Sequence, residues 1–429
     1  MARRLAIFVM AGVIFIMATL PASAATPPGL DGRALLLMDG LTGQVLYQQN
    51  GTNRNFPAST TKLLTALVAL EHGELNQTIR VSHEAVDKGP DSASCYVNEG
   101  EEQPLEYLLY GMLLRSGNDC ADAIAEGVGG TREQFVVWMN ETAERLGASN
   151  SHFVNPHGLH DDNHYTSALD LATIARAALS NPMIRKISGT AEFVWPGKNN
   201  GTYYHTNNMV HYYQGVVGGK NGYTEEALYT LVTAAERDGL FLIGVTLGYE
   251  DKVQLYTAME GLLDYGFASF VRGEAVQKGS LQGEVPVAEG QEEKVSVVAG
   301  ESFSVAEPIE GRQTVTVVPK LASEIPAPVV QGQQVGVLEI RSGDQLLGTV
   351  PALASEAVEI APTLWADLGS WIWTIGKWVL LLLCGLVVLR TTVKTIRRLR
   401  RRKYSSALGR TASRGVAPGY SQRMPRYRP

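Results

Sequence analysis

Hydrophobic and polar positions change period several times along the chain. An apolar core from Leu5 to Leu20 comes first. Ala34-Leu35-Leu36-Leu37-Met38-Asp39 and Gln44-Val45-Leu46-Tyr47 then flank Gly40-Leu41-Thr42-Gly43, a pattern that predicts a β-hairpin. Leu63 to Leu70 is apolar almost all round, which predicts a helix buried on every side. Pro104–Leu114 reads as a second helix. Thr131-Arg132-Glu133-Gln134 is a capping box opening a third that Gly147 stops, and Ser167 with Asp170 opens another through Leu179. Leu228–Ala234 and Leu240–Leu247 read as strands, and Val253, Tyr256, Met259 and Leu263 share one face of a helix ending near Phe267. Strands at both ends with helices between them predict an α+β fold: one antiparallel sheet flanked by helices, with a helical insertion.

From Val271 to Ile360 the texture shifts. Runs such as Lys294-Val295-Ser296-Val297-Val298, Thr314-Val315-Thr316-Val317-Val318 and Val335-Gly336-Val337-Leu338-Glu339-Ile340 alternate with Gly- and Pro-containing turns, predicting a small all-β domain without a catalytic constellation. Trp371–Leu389 then carries a single charge, Lys377, over 19 residues, with Trp365, Trp371, Trp373 and Trp378 around its first half. At about 1.5 Å per residue it extends roughly 28 Å, close to a bilayer core. Arg390, Lys394, Arg397 and Arg398 follow at once, so the positive-inside rule places that side in the cytoplasm. An amphipathic helix lying on the membrane is the alternative, but Val379–Val388 has no polar face.

Charge sharpens this division. The chain has 37 Lys/Arg and 43 Asp/Glu, a net charge of −6. Thirteen of the basic residues lie from Arg390 onward, where there is no acidic residue, and Arg3 and Arg4 are the only charges in the first 24. The remaining body therefore holds 22 basic residues against 43 acidic ones, which argues against nucleic acid as a partner. Arg3 and Arg4, the apolar core and Ala22-Ser23-Ala24 read as a secretory signal peptide cut before Ala25, the alternative being a retained anchor. The expected organisation is a signal peptide at 1–24, a main domain at 25–270, a β-rich domain at 271–360, a transmembrane helix at 368–389 and a basic cytoplasmic tail at 390–429, disordered from 404. Three cysteines are too few for a disulfide framework. Cys95 and Cys120 can pair in an oxidising compartment or remain separate thiols.

The candidate chemistry begins at Pro57-Ala58-Ser59-Thr60-Thr61-Lys62. Ser59 and Lys62, three apart, share a face at the first helical turn, where backbone N–H groups are unpaired and the dipole is positive. A serine there can attack a carbonyl while its own N–H helps hold the oxyanion, and a lysine among apolar residues loses its proton more readily. Alone, the pair also reads as an N-cap serine and a snorkelling lysine. Two further stretches change the balance. Leu114-Arg115-Ser116-Gly117-Asn118-Asp119 follows a helical pattern, and Gly218-Gly219-Lys220-Asn221-Gly222-Tyr223-Thr224 precedes a β-like run. Ser-x-x-Lys, Ser-x-Asn and Lys-x-Gly occur in that order, separated by 53 and 101 residues.

This set resembles that of serine penicillin-binding proteins and class A β-lactamases. Phe153-Val154-Asn155-Pro156-His157-Gly158-Leu159 and His164-Tyr165-Thr166-Ser167-Ala168-Leu169-Asp170 narrow the resemblance to the low-molecular-mass D-alanyl-D-alanine carboxypeptidases, over Ala34 to Phe267 and more loosely to Ile360. It implies a penicillin-binding fold and acyl transfer on peptidoglycan stem peptides at an extracytoplasmic membrane surface, with β-lactams as inhibitors and no cofactor. Ser59 would be the nucleophile, Lys62 the base and Ser116 a proton relay. Asn118 would hold the substrate's amide. Lys220, on a strand lining the cleft, would attract the terminal carboxylate and help keep Lys62 neutral. Gly222 would leave room for the substrate, and the Tyr223 N–H would be the second oxyanion donor.

The family's usual Lys-Thr-Gly is here Lys220-Asn221-Gly222, and Leu247-Gly248-Tyr249-Glu250-Asp251 lacks the arginine of some relatives. Both differences imply a weaker reading of a free C-terminus and more tolerance of cross-linked peptides, the alternative being that Asn221 simply substitutes for threonine. His152, His157, His160 and His164 with Asp161 and Asp162 suggest a metal site, but their spacing fits no zinc pattern, and in the family this loop is structural. Two rival functions remain at this level. One is a tethered sensor that is acylated but turns over poorly. The other is a β-lactamase, against which stand the lack of an evident deacylating glutamate motif and the presence of an anchor and a β-domain.

Overall fold

The computed structural model describes residues 31–87, 92–195, 201–310, 315–362 and 364–408, with Gly29 and Gly89. The signal-peptide reading and the tail beyond Leu408 fall outside the described residues. The predicted hairpin is present as β1 (Ala34–Asp39) and β2 (Val45–Gln49), paired antiparallel. All six residues of β1 are buried, and their alternation divides them between two cores. Ala34, Leu36 and Met38 join the core under the helical insertion, whereas Leu35 and Leu37 pack with Leu255, Met259 and Leu262 on the opposite face.

The other strands come from the far end of this domain: β3 (Val216–Thr224), β4 (Leu228–Arg237) and β5 (Leu240–Tyr249). Together they form one sheet in the order β2-β1-β5-β4-β3, antiparallel throughout. The third motif lies within strand β3 rather than ahead of the β-like run, because Gly218, Gly219 and Gly222 hid the strand's pattern. That strand forms the sheet edge and packs against the turn that carries Ser59.

Helix α1 (Lys62–His72) buries Leu63, Leu64, Ala66, Leu67, Val68 and Ala69. Each buried leucine there stabilises the fold by about 1.5–3 kcal/mol. Around it lie α2 (Leu105–Leu114), α3 (Asn118–Gly129), α4 (Arg132–Arg145) and α5 (Ala168–Ser180). The caps are as predicted: Thr131 Oγ1 accepts from Gln134 N at 3.1 Å, and Ser167 Oγ from Asp170 N at 3.1 Å. Helix α3 carries three acidic residues and two glycines, and no helical pattern was legible there; it is held by buried Cys120, Ala121, Ala123 and Ile124. Helix α6 (Lys252–Ser269), capped by Asp251, covers the second face of the sheet.

An all-β domain follows, its strands running from Phe270 to Ala354. Arg272 donates to both carboxylate oxygens of buried Asp39, at 2.9 and 2.7 Å, and Gln345 Nε2 donates to Gly43 O at 2.7 Å. These bonds tie the β-domain to the first hairpin.

The C-terminal helix, α7, runs from Leu364 to Leu408 as 45 residues without a break. At about 1.5 Å per residue it is roughly twice as long as a bilayer core is thick. The helix therefore continues through the basic segment after Arg390, where the sequence reading had placed only a tail. Trp371, Trp373 and Trp378 are exposed on it, and Lys377 Nζ lies 3.4 Å from the Trp373 ring centroid, a cation–π contact one turn away.

Candidate active site

Ser59 sits on a 3-10 turn, Ala58–Thr61, and the α-helix starts only at Lys62. The sequence reading had placed Ser59 in the α-helix itself. The hydroxyls of Thr60 and Thr61 explain the difference: they donate to Pro57 O at 2.6 Å and Ala58 O at 2.8 Å, which favours i→i−3 geometry. Ala58 has φ +49, a left-handed conformation that costs a non-glycine residue about 1–2 kcal/mol. The surroundings enforce it. Thr230 Oγ1 donates to Pro57 O at 2.9 Å, and a Cβ on Gly158 would lie 1.9 Å from Ala58 O, so only glycine lets that loop reach the turn.

Lys62 is fully buried, and its Nζ meets three acceptors: Ser59 Oγ at 2.8 Å, Asn118 Oδ1 at 2.7 Å and His157 O at 2.8 Å. Burial lowers its pKa to about 7, against the pull of the Cys95 thiol, Asp119 and Asp122. An ammonium uses all three protons on these partners. A neutral amine keeps two N–H donors for Asn118 and His157, which only accept, and turns its lone pair to the Ser59 hydroxyl. With a pKa of about 7, both forms are populated near neutral pH, and the amine form can take a proton from Ser59.

Lys220 is also fully buried and donates to Asn221 O at 2.7 Å. Burial and the charge of Lys62 push it well below the ordinary lysine value. Lys220 was expected to help depress Lys62. Desolvation is the largest cause of the lowering at both lysines, and the repulsion between them, which acts on both charges, adds to it at Lys220.

Ser116 has φ +65 and lies half-buried in the turn between α2 and α3. Among the described residues its hydroxyl bonds to neither Ser59 nor Lys62; Asn118 fills that place. Asn118 is spent mainly inside the protein, since its oxygen holds Lys62 and its NH₂ donates to Ser92 Oγ at 2.8 Å. Asp119 organises the loop before α2: it accepts from the backbone N–H of Cys95 and Cys120 and from Ser94 Oγ. Cys95 and Cys120 are free thiols in the structure, not the disulfide considered from sequence, with their sulfurs and the Asp119 carboxylate within 4.8 Å of one another. Burial pushes the Cys120 thiol up, so it stays protonated.

Gly222 brings strand β3 against Ser59: a Cβ there would lie 2.6 Å from Ser59 N and 2.8 Å from Thr230 Oγ1. Tyr223 is exposed, its ring 4.5 Å from that of Tyr229. Asn221 is half-buried, and its Oδ1 accepts from Thr206 Oγ1 at 2.8 Å.

The histidines disperse into separate contacts. His164 accepts from Val154 N at its Nδ1, which leaves Nε2–H to donate to Thr61 Oγ1 at 2.9 Å. Burial lowers its pKa to about 3, so it stays neutral. His152 Nδ1 bonds Asn163 O at 2.7 Å, and His160 packs edge-on against Phe56. His157 contributes its backbone carbonyl to Lys62. That carbonyl, Thr230, Thr206 and Asp119 were not singled out from the sequence. Of these, only Asp119, directly after Ser-x-Asn, left a signal there.

The comparisons with known proteins agree with this geometry. Residues 21–251 match the model of the peptidase S11 family, described as D-alanyl-D-alanine carboxypeptidase. Residues 270–360 match the model of the C-terminal domain of penicillin-binding protein 5. D-alanyl-D-alanine carboxypeptidase DacF of Bacillus subtilis is 31% identical over 282 residues, 64% of this chain and 72% of that protein. D-alanyl-D-alanine carboxypeptidase DacA of Escherichia coli is 30% identical over 284 residues, 63% of this chain and 69% of that protein. The crystal structure of penicillin binding protein 5 from Haemophilus influenzae superposes with a TM-score of 0.67 at 27% identity, covering 78% of this chain and 99% of that one. With the three motifs gathered around one serine and the family model spanning more than half of its length, the chain belongs to the S11 family of D-alanyl-D-alanine carboxypeptidases.

Proposed function

We propose that this chain is a membrane-tethered serine carboxypeptidase that removes the terminal D-alanine from peptidoglycan stem peptides through an acyl-enzyme on Ser59. The observation that carries this reading is the 2.8 Å contact between Lys62 Nζ and Ser59 Oγ, with Lys62 held at a pKa of about 7 by burial. As a free amine, Lys62 takes the hydroxyl proton while Ser59 Oγ attacks the carbonyl between the two D-alanines. The Ser59 and Tyr223 N–H groups receive the oxyanion. Lys62 returns the proton to the departing amine by way of the Ser116 hydroxyl, which must turn toward Lys62 from its place in the free structure; D-alanine leaves, and water hydrolyses the remaining ester with Lys62 again as base. Lys220 and Asn221 receive the terminal carboxylate, and Asn118 fixes Lys62 while its remaining N–H is available to the substrate's amide. A β-lactam acylates the same oxygen and has no leaving group that departs, so it stays. Incubation of the protein with an acyl-D-Ala-D-Ala peptide releases free D-alanine on this reading; a protein that is acylated by penicillin but releases none is instead a binder or sensor.

A second reading shifts the substrate toward cross-linked peptides. It is favoured by Asn221 in place of threonine and by the sequence Leu247–Asp251, which supplies no arginine for a free carboxylate. The ratio of D-alanine release to cross-link cleavage separates the two.

For the membrane, the reading is a single span near 368–389, with a secretory signal at 1–24, the catalytic body outside and the basic end inside. The exposed apolar surface of Trp371–Leu389 supports it. Protease added to intact cells digests the body and spares the tail on this topology. Release by alkaline carbonate favours a surface-lying helix.

A further inference from the structure

The Asn221 side chain has two ends of opposite character. Its NH₂ attracts a carboxylate and its oxygen repels one. Rotation about χ2 of a half-exposed asparagine is broad, so an unaided Asn221 presents either end to the cleft. In the structure one end is chosen. Thr206 Oγ1 donates to Asn221 Oδ1 at 2.8 Å, and Lys220 Nζ approaches the same oxygen at 3.4 Å. Lys220 Nζ carries N–H donors in either protonation state, already donating to Asn221 O at 2.7 Å, so the oxygen is the atom that belongs on this side. The NH₂ therefore points away from both, and among the described residues it makes no hydrogen bond.

Thr206 is itself held on three sides. Its N–H donates to Leu114 O at 2.9 Å, and its carbonyl accepts from Tyr256 Oη at 3.3 Å. Its neighbours in sequence, His205 and Asn207, are buried. Asn207 Nδ2 donates to Thr233 Oγ1 at 3.3 Å, and the Asn207 N–H to His205 Nδ1 at 2.9 Å. Leu114 ends helix α2, two residues before Ser116. Thr206 thus links the element that leads to the Ser-x-Asn turn with the strand that carries Lys220.

We propose that Thr206 is a positioning residue that aims the Asn221 carboxamide, so that the Thr206–Asn221 pair supplies the hydrogen-bond donor to the free terminal carboxylate of an acyl-D-Ala-D-Ala substrate. The proposal rests on the reading above that this carboxylate docks beside Lys220. A threonine at position 221 donates through its own hydroxyl and needs no such partner. An asparagine does: Lys220 Nζ fixes which end faces it, and the Thr206 hydroxyl, donating to Oδ1, holds the carboxamide in that orientation.

The test uses the full-length protein and five forms: the natural chain, Thr206→Val, Thr206→Ser, Asn221→Thr, and Thr206→Val with Asn221→Thr. Each is assayed for kcat/KM on an acyl-D-Ala-D-Ala peptide and on its C-terminal amide. Thr206→Val is expected to lose about tenfold on the acid, the size of one hydrogen bond to a charged group, and less than twofold on the amide. Thr206→Ser restores the acid rate. In the Asn221→Thr background, Thr206→Val has no more than a twofold effect. Equal losses on acid and amide, a serine variant that does not recover, or the same tenfold loss in the Asn221→Thr background each overturn the proposal in favour of a packing role. If the natural protein releases neither D-alanine from the acid nor D-alaninamide from the amide, the carboxypeptidase reading fails separately. The proposal is then decided by acylation with benzylpenicillin and its methyl ester: Thr206→Val must slow the free acid about tenfold relative to the ester, and an unchanged ratio overturns it.

Discussion

A methyl group on Gly222 would sit 2.6 Å from the backbone nitrogen of Ser59. The edge strand and the turn that carries Ser59 are therefore as close as a missing side chain permits. The same methyl group would lie 2.9 Å from Ala58 Cβ and 2.8 Å from Thr230 Oγ1, so no flexible neighbour can yield without moving the turn.

Gly222→Ala forces strand and turn apart and disturbs the N–H that would meet the oxyanion. Removal of one oxyanion donor typically costs about 10²–10³ in rate. The expected result is acylation by penicillin at least about 100-fold slower, from the same magnitude, with the protein still folded by circular dichroism. A rate within threefold of the natural protein would show that the close approach has no catalytic role.

Lys62 gives a pH signature in two observables. Its folded pKa of about 7 lies below the ordinary lysine value of 10.5. Acylation is expected to rise with pH and level off above about 7, as the amine loses its proton. For stability, the unfolded chain holds more protons than the folded one between these two values. The folded state thus carries a full penalty below pH 7, and the penalty is relieved as pH rises toward 10.5. Lys62→Met removes the titration, so the Tm difference between it and the natural protein narrows with rising pH across that window. A difference independent of pH from 7 to 10 contradicts a depressed Lys62.

Asp39 and Arg272 offer a test of the link between domains. The Asp39 carboxylate is fully buried and is met by both guanidinium N–H groups of Arg272 and by Thr42 Oγ1 at 2.7 Å. Removal of one partner from a buried pair costs about 3–5 kcal/mol. Arg272→Ala is expected to lower the unfolding free energy by about 3 kcal/mol in urea, at the low end of that range because Thr42 remains. A loss under about 1 kcal/mol would mean the pair behaves like one at the surface.

The sequence carried the architecture well where side-chain periodicity was strong. The hairpin, the buried helix after Ser59, the Thr131 and Ser167 caps and the strand pair from Leu228 all declare themselves through apolar spacing or cap chemistry. It concealed strand β3, whose glycines are there for close approach and so erase the alternation, and helix α3, whose acidic face is turned to structural use by Asp119. Ser59 and Lys62 were legible as a motif, but their surroundings were not. The His157 carbonyl is a backbone group with no sequence signature, and Thr206 and Thr230 come to the site through tertiary folding alone. The main cause of the low Lys62 pKa was hidden for a similar reason: motif logic supplies charges such as Lys220, whereas the extent of burial emerges only once the core is assembled.

On this mechanism Ser59, beside a lysine held near neutrality, is the residue that forms the acyl-enzyme. This assignment is tested by intact-mass measurement of the purified full-length protein after labelled penicillin, followed by peptide mapping, in the natural chain and in Ser59→Ala. One adduct is expected, on the peptide containing Ser59, and none in the variant. A label that survives Ser59→Ala, or that maps to another peptide, would contradict it.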